Sequence, residues 1–254
     1  MKVGSAAKSS RCKFACSTRI PLSTLLLSLE TSSPVCSVAL HRIADGSLVG
    51  QSELRLDKSH STHLTVLIEQ LLENTGYQLS DLASVAVSDG PGSYTGLRIG
   101  AAAAKGLCFA LNVPLLAVGT LPALAHQVAA RTPRADSYLY APMLDARRDE
   151  VYTALYRANG HELAPPAPLL LTPTALAEQL SQQSVLFFGS GAAKLQNLVS
   201  DNENAVFLAD VQPSAISVGE LALVAFERQQ FQDVAYYEPF YLKEVYTTTP
   251  RPVA

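Results

Sequence analysis

The sequence predicts an α/β protein built from two lobes that repeat one arrangement of strands and helices. Three short apolar runs follow one another from residue 24, before any helical pattern begins. Helical and strand-like segments then alternate as far as residue 131, and a new series of strands begins near residue 137. The order of three strands, helix, strand, helix, strand and helix is that of a ribonuclease-H-like lobe, in which helices cover a mixed sheet.

Turn residues separate the first three strands. The runs TLLLSLE (24–30), VCSVALHRI (35–43) and SLVGQSEL (47–54) are divided by TSSP and by ADG. Asp45-Gly46 is a dipeptide that a tight hairpin turn favours. We therefore expect three adjacent antiparallel strands.

The helices of the first lobe follow from periodicity. Apolar residues recur at the 3.6-residue spacing, and Gly76 is placed to end this helix, whose apolar positions are Leu64, Leu67, Ile68, Leu71 and Leu72. A strand (83–88), a glycine-rich loop, a helix (about 95–111), a strand (113–118) and a helix (120–131) come next.

The second lobe is predicted from a weak internal repeat. LETSSPVCSVAL (29–40) and LDARRDEVYTAL (144–155) both open with leucine and an acid and end in Ala-Leu. The repeat places the lobes at 23–132 and 133–254, after a basic leader at 1–22. The second lobe is reduced and contains a hairpin, a proline-rich link, a short helix, VLFFGSG, another helix, AVFLA and a final helix from 215 to 230; the prolines of the link are Pro165, Pro166 and Pro168.

Charge and cysteine content narrow the function classes. The first 21 residues contain five basic residues and no acid, which leaves 14 basic and 22 acidic residues in the remainder. An acidic body repels nucleic acid. The leader lacks the apolar core of a secretory signal peptide. A disordered leader, or a translation start assigned too far upstream, is favoured over an organelle presequence. The spacing of Cys12 and Cys16 has no matching metal-ligand pair, and Cys36 and Cys108 lie in apolar runs.

The stretch SDGPGSYTGLRIGAAAAKG (88–106) follows a strand and opens a helix. A Walker loop needs Gly-Lys followed by Ser or Thr, whereas Lys105 lies inside the helix and precedes Gly106. A dinucleotide fingerprint and a nucleophile elbow around Ser93 also fail on glycine spacing. The remaining feature is a ridge of small residues four apart: Gly96, Gly100, Ala104 and Cys108. Periodicity leaves two alternatives open, packing on the protein's own sheet or contact with a partner.

Several motifs in order resemble one family. GPGSYTGLRIGAAAAKGL is similar to the signature of the TsaB family, a subunit of the machinery that makes N6-threonylcarbamoyladenosine on tRNA. LLLSLETSSPVCSVAL, HSTHLTVLIEQLLENTGY, AVGTLPALA, MLDARRDEVY, FFGSGAAK and PFYLKE resemble its other segments, so that residues 24–245 are covered. The motif loop consists of Gly90, Pro91, Gly92, Ser93, Tyr94, Thr95, Gly96 and Arg98.

The resemblance implies a two-lobed actin-like fold and a cytoplasmic protein without catalytic residues, metal, cofactor or membrane segment. It implies pairing with a TsaD-like catalytic subunit, work with a TsaE-like ATPase, a homodimer when alone, and contact with tRNA only through the complex. The two first-lobe helices would form the partner surface, with His63, Leu64, Leu67, Ile68, Leu71, Leu97, Gly100, Ala101, Ala104, Lys105 and Cys108. A bulky residue at Ala104 would then weaken the complex without unfolding the protein.

Some features depart from a catalytic actin-like protein. The first hairpin turn, from Glu30 to Pro34, contains no glycine and includes a proline, which makes a phosphate loop doubtful. Relatives usually have aspartate at Glu30. His60 and His63 are three apart, a spacing that favours helix-surface or capping roles over metal binding. The acids near Asp145 are interleaved with arginines and indicate a solvated turn.

The rival function is that of an actin-like phosphotransferase with its own nucleotide site. Relatives were also once named proteases.

Overall fold

The computed structural model describes residues 25–56, 60–199 and 201–243. They form two five-stranded mixed sheets with helices on both faces of each sheet. The predicted α/β class with two mixed sheets is therefore confirmed. The leader at 1–22, with Cys12 and Cys16, lies outside the described residues.

The first sheet has the strand order β3-β2-β1-β4-β5. Its strands are β1 (Leu25–Glu30), β2 (Val35–Arg42), β3 (Leu48–Arg55), β4 (Leu82–Gly90) and β5 (Leu115–Gly119). The first three strands pair antiparallel, and β4 and β5 continue the sheet in parallel with β1. This arrangement brings the carboxyl ends of β1 and β4 together, where Glu30 and Asp89 lie.

The second sheet repeats this topology with the order β10-β9-β6-β7-β8. Its strands are β6 (Tyr138–Asp145), β7 (Glu150–Tyr156), β8 (Glu162–Leu170), β9 (Ser184–Phe188) and β10 (Ala205–Leu208). Here too the first three strands are antiparallel and the last two are parallel to the first. The two repeat segments, 29–40 and 144–155, occupy the first hairpin of each sheet, as the sequence predicts.

Alternating side chains give each sheet two buried faces. In the first sheet, Leu25, Leu27 and Leu29 contact α1 (His60–Thr75) and α2 (Tyr94–Leu111). Leu26 faces the other way, toward α6 (Ala215–Glu227). In the second sheet, α4 (Ala177–Gln182) and α5 (Ala192–Val199) cover one face and α3 (Thr120–Ala129) covers the other. Because α4 and α5 are much shorter than α1 and α2, the second lobe is reduced.

Two helices pack across the lobe boundary proposed from the sequence. Helix α3 precedes residue 133, yet its apolar face packs on Tyr140 and Phe188 of the second sheet. Helix α6 follows that boundary and packs on β1, β2 and β5 of the first sheet. The two lobes are consequently tied together by helices that each belong to the other half of the chain.

The proline-rich segment is a strand, and its prediction as a link was wrong. Residues 162–170 form β8, which pairs with β7 through registers such as Tyr152↔Pro168. Proline lacks the N–H that a central strand needs, but an edge strand has one side that no neighbour bonds. Since β8 is the outer strand of the second sheet, it tolerates Pro165, Pro166 and Pro168.

A C-terminal segment, residues 231–243, crosses the first sheet and is called the strap here. The Gln232 amide donates to the Leu115 carbonyl at 2.9 Å, and the Phe240 amide donates to the Asp89 carbonyl at 2.8 Å. The Tyr237 hydroxyl donates to Asp89 Oδ1 at 2.9 Å. The strap therefore runs from the amino end of β5, at Leu115, to the carboxyl end of β4, at Asp89.

Candidate partner-binding site

The glycine-rich loop joins β4 to α2 and starts the helix with a side-chain cap. Ser93 has an extended backbone, and its hydroxyl accepts a hydrogen bond from the Gly96 amide at 3.3 Å. The Ser93 amide donates in turn to the Ser32 carbonyl at 2.7 Å. Ser93 thus acts as a helix N-cap, a role that serine favours.

Three glycines of this region pack against the turn between β1 and β2. A Cβ atom on Gly96 would lie 2.0 Å from the Thr31 carbonyl oxygen, and one on Gly100 would lie 2.3 Å from Thr31 Oγ1. A Cβ on Gly92 would lie 2.5 Å from the Ser32 carbonyl oxygen. Real Cβ atoms do not approach so closely, so the missing side chains allow α2 to contact the turn.

The rest of the small-residue ridge is also buried within the protein. Ala104 is 0% exposed, and Ala101, Cys108 and Leu97 are almost completely buried. The alternative in which this ridge lies open for a partner is therefore wrong for the protein as described. A bulky residue at Ala104 would overpack the protein's own core, which corrects the expectation that it would weaken only a complex.

The residues predicted on α1 as partner contacts are also mostly buried within the protein. Leu64, Leu67, Ile68 and Leu71 are buried in the cluster that joins α1 to the sheet. His63 is partly exposed, and its Nδ1 lies 2.7 Å from Thr62 Oγ1. These leucines hold α1 in place and do not form its outer surface.

Lys105 contacts the strap. Its Nζ donates to the carbonyls of Ala235 at 3.1 Å and Tyr237 at 3.0 Å. Lys105 therefore fixes the strap against α2. The sequence offered no signal for this contact, because the two segments are far apart in the chain.

The outer face of α2 consists of different small residues, and sequence analysis did not select them. Ala102, Gly106 and Ala110 are exposed, and a Cβ on Gly106 would contact nothing within 4 Å. Phe109 is 86% exposed beside them. The spacing of 102, 106 and 109 could have identified this face, since these positions share one side of a helix. We call Ala102, Gly106, Phe109 and Ala110 the outer face of α2.

An aromatic cluster with an arginine lies at the N-terminal end of α2. The Tyr94 and Tyr241 rings have centroids 5.1 Å apart. Arg98 lies over the Tyr94 ring, and its Nη1 donates to the Tyr94 hydroxyl at 2.7 Å. Gly90, at φ +116°, accommodates the strap, because a Cβ there would lie 2.5 Å from the Phe240 carbonyl oxygen.

The β1–β2 turn, where an actin-like kinase would bind phosphate, is closed. Glu30 and Thr31 are 0% exposed, and Ser32 and Ser33 are nearly so. Burial raises the pKa of Glu30 despite the hydrogen bond of 2.6 Å that its Oε1 accepts from the Ser32 amide. A carboxyl in this position does not reach a nucleotide in solvent.

The acids of the β6–β7 turn engage in ion pairs. Lys194 Nζ contacts Asp145 Oδ1 at 2.5 Å and donates to the Arg148 carbonyl at 2.7 Å. Partial burial disfavours ionisation of Asp145, but the hydrogen bonds from Lys194 and Arg147 outweigh it and lower its pKa. Lys243 pairs with Glu150. The arginines within the turn indicated ion pairs with these acids, but the cations that the structure shows are Lys194 and Lys243, from outside the turn.

Within the described ranges, no three His, Cys, Asp or Glu side chains converge as metal ligands do. His60 is buried at the start of α1, whereas His63 is partly exposed. Across those same ranges, no helix has the length and apolar character to span a membrane.

Comparison with known proteins gives consistent relatives. The family model for TsaD, described as tRNA N6-adenosine threonylcarbamoyltransferase, matches residues 55–245. Proteins named tRNA threonylcarbamoyladenosine biosynthesis protein TsaB are 31% identical in Escherichia coli, over 86% of this chain and 94% of that protein, and 29% identical in Haemophilus influenzae, over 87% and 94%. The TsaB of Bacillus subtilis is 31% identical over 69% of this chain and 75% of that protein.

Solved structures agree with these relatives. The structure of YeaZ from Pseudomonas aeruginosa superposes with a TM-score of 0.73 at 30% identity, over 86% of this chain and 100% of that chain. A second structure, described as an uncharacterized protein with similarity to peptidase YEAZ from the same organism, has a TM-score of 0.74 at 30% identity and covers 87% of this chain. From its motifs, topology and relatives together, the chain belongs to the TsaB family of tRNA threonylcarbamoyladenosine biosynthesis proteins.

Proposed function

We propose that this protein is a non-catalytic subunit that activates a TsaD-like enzyme by docking to it through the outer face of α2 and the adjoining surface of α1. The enzyme would transfer a threonylcarbamoyl group to adenosine 37 of tRNA. The observation that supports this most directly is Phe109, an almost fully exposed aromatic on a helix whose neighbouring outer residues are glycine and alanine.

The chemistry of that face suits a helix-packing partner. Glycine and alanine let two helix backbones approach closely, and an exposed aromatic residue provides an anchor of the kind that dominates interface energies. Val66, on α1 and itself 39% exposed, adds apolar surface next to α2. A second copy of the chain could use the same face when the enzyme is absent, which gives the homodimer that the family resemblance implies.

The remaining parts of the proposal follow from charge and from the closed turn. The acidic body disfavours direct tRNA binding, so tRNA would meet the complex through the enzyme. A TsaE-like ATPase would supply nucleotide turnover, because the β1–β2 turn of this chain is buried under α2. The reaction would take place in the cytoplasm, where tRNA is modified.

Mixing the purified protein with its TsaD-like partner tests the proposal. Light scattering coupled to size exclusion is expected to detect a heterodimer. Phe109→Ser is expected to raise the Kd of this heterodimer by about tenfold or more. Tyr236→Ser is a matched control, since Tyr236 is an equally exposed aromatic on the strap. A heterodimer that forms equally well with Phe109→Ser would contradict docking through this face, and no association would contradict the proposal as a whole.

The rival phosphotransferase is tested separately. Calorimetry of the isolated protein with ATP and magnesium is expected to show no binding in the micromolar range. Micromolar affinity together with ATP turnover would support the rival and require the β1–β2 turn to open.

A further inference from the structure

A cavity lies in a different part of the molecule, between the C-terminal end of α3 and strands β9 and β10. Its volume is about 700 Å³. Small-molecule sites have volumes of roughly 300–1,000 Å³. The cavity is distant in the fold from the outer face of α2, and it has no place in the proposed docking to an enzyme.

The floor of the cavity is apolar. It is formed by aliphatic side chains of four segments: Val128, Leu186, Val206, Leu208 and Val211. Strand β10 supplies two of them by alternation, while its Phe207 points to the opposite face and stacks on Phe187 with a centroid distance of 5.1 Å. Val128 and Leu186 are already buried, and a ligand with an apolar body would remove the half-buried Val206, Leu208 and Val211 from water.

Two arginines lie on the rim. Arg131 Nη1 donates to the Gln127 carbonyl at 3.0 Å, which holds its side chain along the end of α3. Arg134 has a left-handed backbone, φ 52°, and its carbonyl accepts from the Ser137 amide at 2.9 Å. Neither guanidinium has a carboxylate within 4.0 Å in the part of the chain that the structure describes. Both therefore keep donors for an anion.

Two acids near the cavity, Glu220 and Asp210, interact with groups other than the two rim arginines. Glu220 contacts His126 at 3.0 Å, and the hydrogen bond from His126 is the main cause of its lowered pKa, with a minor contribution from Arg131. Asp210 is on the rim, where its charge also acts on Arg55, whose pKa is raised chiefly by Glu53. The residues that line the cavity thus include one carboxylate, Asp210, and two guanidinium groups, Arg131 and Arg134.

We propose that this cavity binds a small amphipathic anion, whose apolar body covers Val206 and Leu208 and whose carboxylate, phosphate or sulfonate meets Arg131 and Arg134. Arginine suits such groups because its planar fork can donate two parallel hydrogen bonds to them. Ser137, which also lines the cavity, adds a hydroxyl donor for the same anion, whereas the Thr132 hydroxyl donates to the Val128 carbonyl at 2.8 Å.

The test uses the fluorescent sulfonate 8-anilino-1-naphthalenesulfonate and the full chain. We expect saturable binding at one site, and a Kd about tenfold higher for Arg131→Met and for Arg134→Met, since each loses a charge-assisted hydrogen bond. Arg148→Met is the matched control, because Arg148 is an exposed arginine in the β6–β7 turn, at the opposite end of β6 from Tyr138, which lines the cavity. Phe109→Ser controls for dye bound at the outer face of α2. Melting temperatures confirm that each variant is folded.

Competition then identifies the anion class. Displacement of the dye by octanoate would support an acyl carboxylate, and displacement by AMP would support a nucleotide phosphate. Displacement by neither would overturn the proposal, as would unsaturable dye binding, an equal effect of Arg148→Met, or unchanged affinity in both rim variants. The uncharged analogue N-phenyl-1-naphthylamine is expected to bind more weakly, and equal binding would also overturn it.

Discussion

The two faces of α2 are both built from small residues, yet they have opposite roles. On the inner face, Gly96 and Gly100 contact the backbone and side chain of Thr31, and Ala104 is sealed in the core. On the outer face, Gly106 has open space around it and Phe109 is exposed. Small residues therefore indicate that another segment can pack closely against the helix, but they do not identify that segment. Only the surroundings separate a ridge that packs on its own sheet from a face that is free for a partner.

Adding one methyl group to each face should give the largest difference. Gly96→Ala is expected to lower the free energy of unfolding by about 3 kcal/mol, because its Cβ would overlap the Thr31 carbonyl oxygen. Gly106→Ala is expected to raise it by about 1 kcal/mol, since alanine is the better helix former and meets no neighbour. Urea unfolding measures both. Equal effects in the two variants would remove the distinction between the faces.

Larger side chains sharpen the comparison. Ala104→Leu is expected to destabilise the protein by about 2 kcal/mol through overpacking, and Ala102→Leu by less than about 0.5 kcal/mol because Ala102 is exposed. Ala102→Leu should instead weaken binding to the TsaD-like partner. Thermal unfolding and light scattering of each variant separate the two effects. A stable Ala104→Leu with impaired partner binding would reverse the assignment of the faces.

Lys105 lies between the two faces and ties the helix to the strap. Lys105→Met keeps most of the apolar stem and loses the two hydrogen bonds to strap carbonyls. We expect a loss of about 1 kcal/mol in unfolding free energy. Faster hydrogen exchange at the strap amides, relative to those of β4, would locate the effect. Unchanged exchange in the strap would mean that Lys105 does not hold it.

Glu30 lies beneath the inner face. Replacing it should change the free energy of unfolding least at low pH, and the change should grow as the pH rises. Burial raises its pKa in the folded protein above the ordinary value of 4.5. The protonated form is the one the fold favours, so its stability contribution is complete below about pH 4.5 and is lost as the pH rises through the folded-state pKa. Glu30→Gln is expected to be neutral near pH 4 and stabilising at pH 7, as measured by urea unfolding. A variant that is destabilised more at pH 7 than at pH 4 would contradict this account.

The order of strands and helices along the first half of the chain and the internal repeat could be predicted, because buried strands need apolar runs and turns need particular residues. LETSSPVCSVAL and LDARRDEVYTAL fall on equivalent hairpins for that reason. Strand β8 was missed since proline argues against a strand until its edge position is known. The sequence could not show whether the ridge on α2 faces the protein's own core or a partner, because periodicity shows which residues share a helix face but not what that face contacts.

The strap has a consequence for how the molecule can move. It bonds to the first sheet through Phe240 and Asp89, and Lys243 pairs with Glu150 at the second sheet. Clamshell kinases close their lobes on substrate, which requires a hinge that is free to turn. Here the strap bridges the two sheets, so rotation of one sheet relative to the other would break the Phe240–Asp89 hydrogen bond or the Lys243–Glu150 ion pair. The protein thus presents a pre-organised surface, and association would cost little conformational entropy.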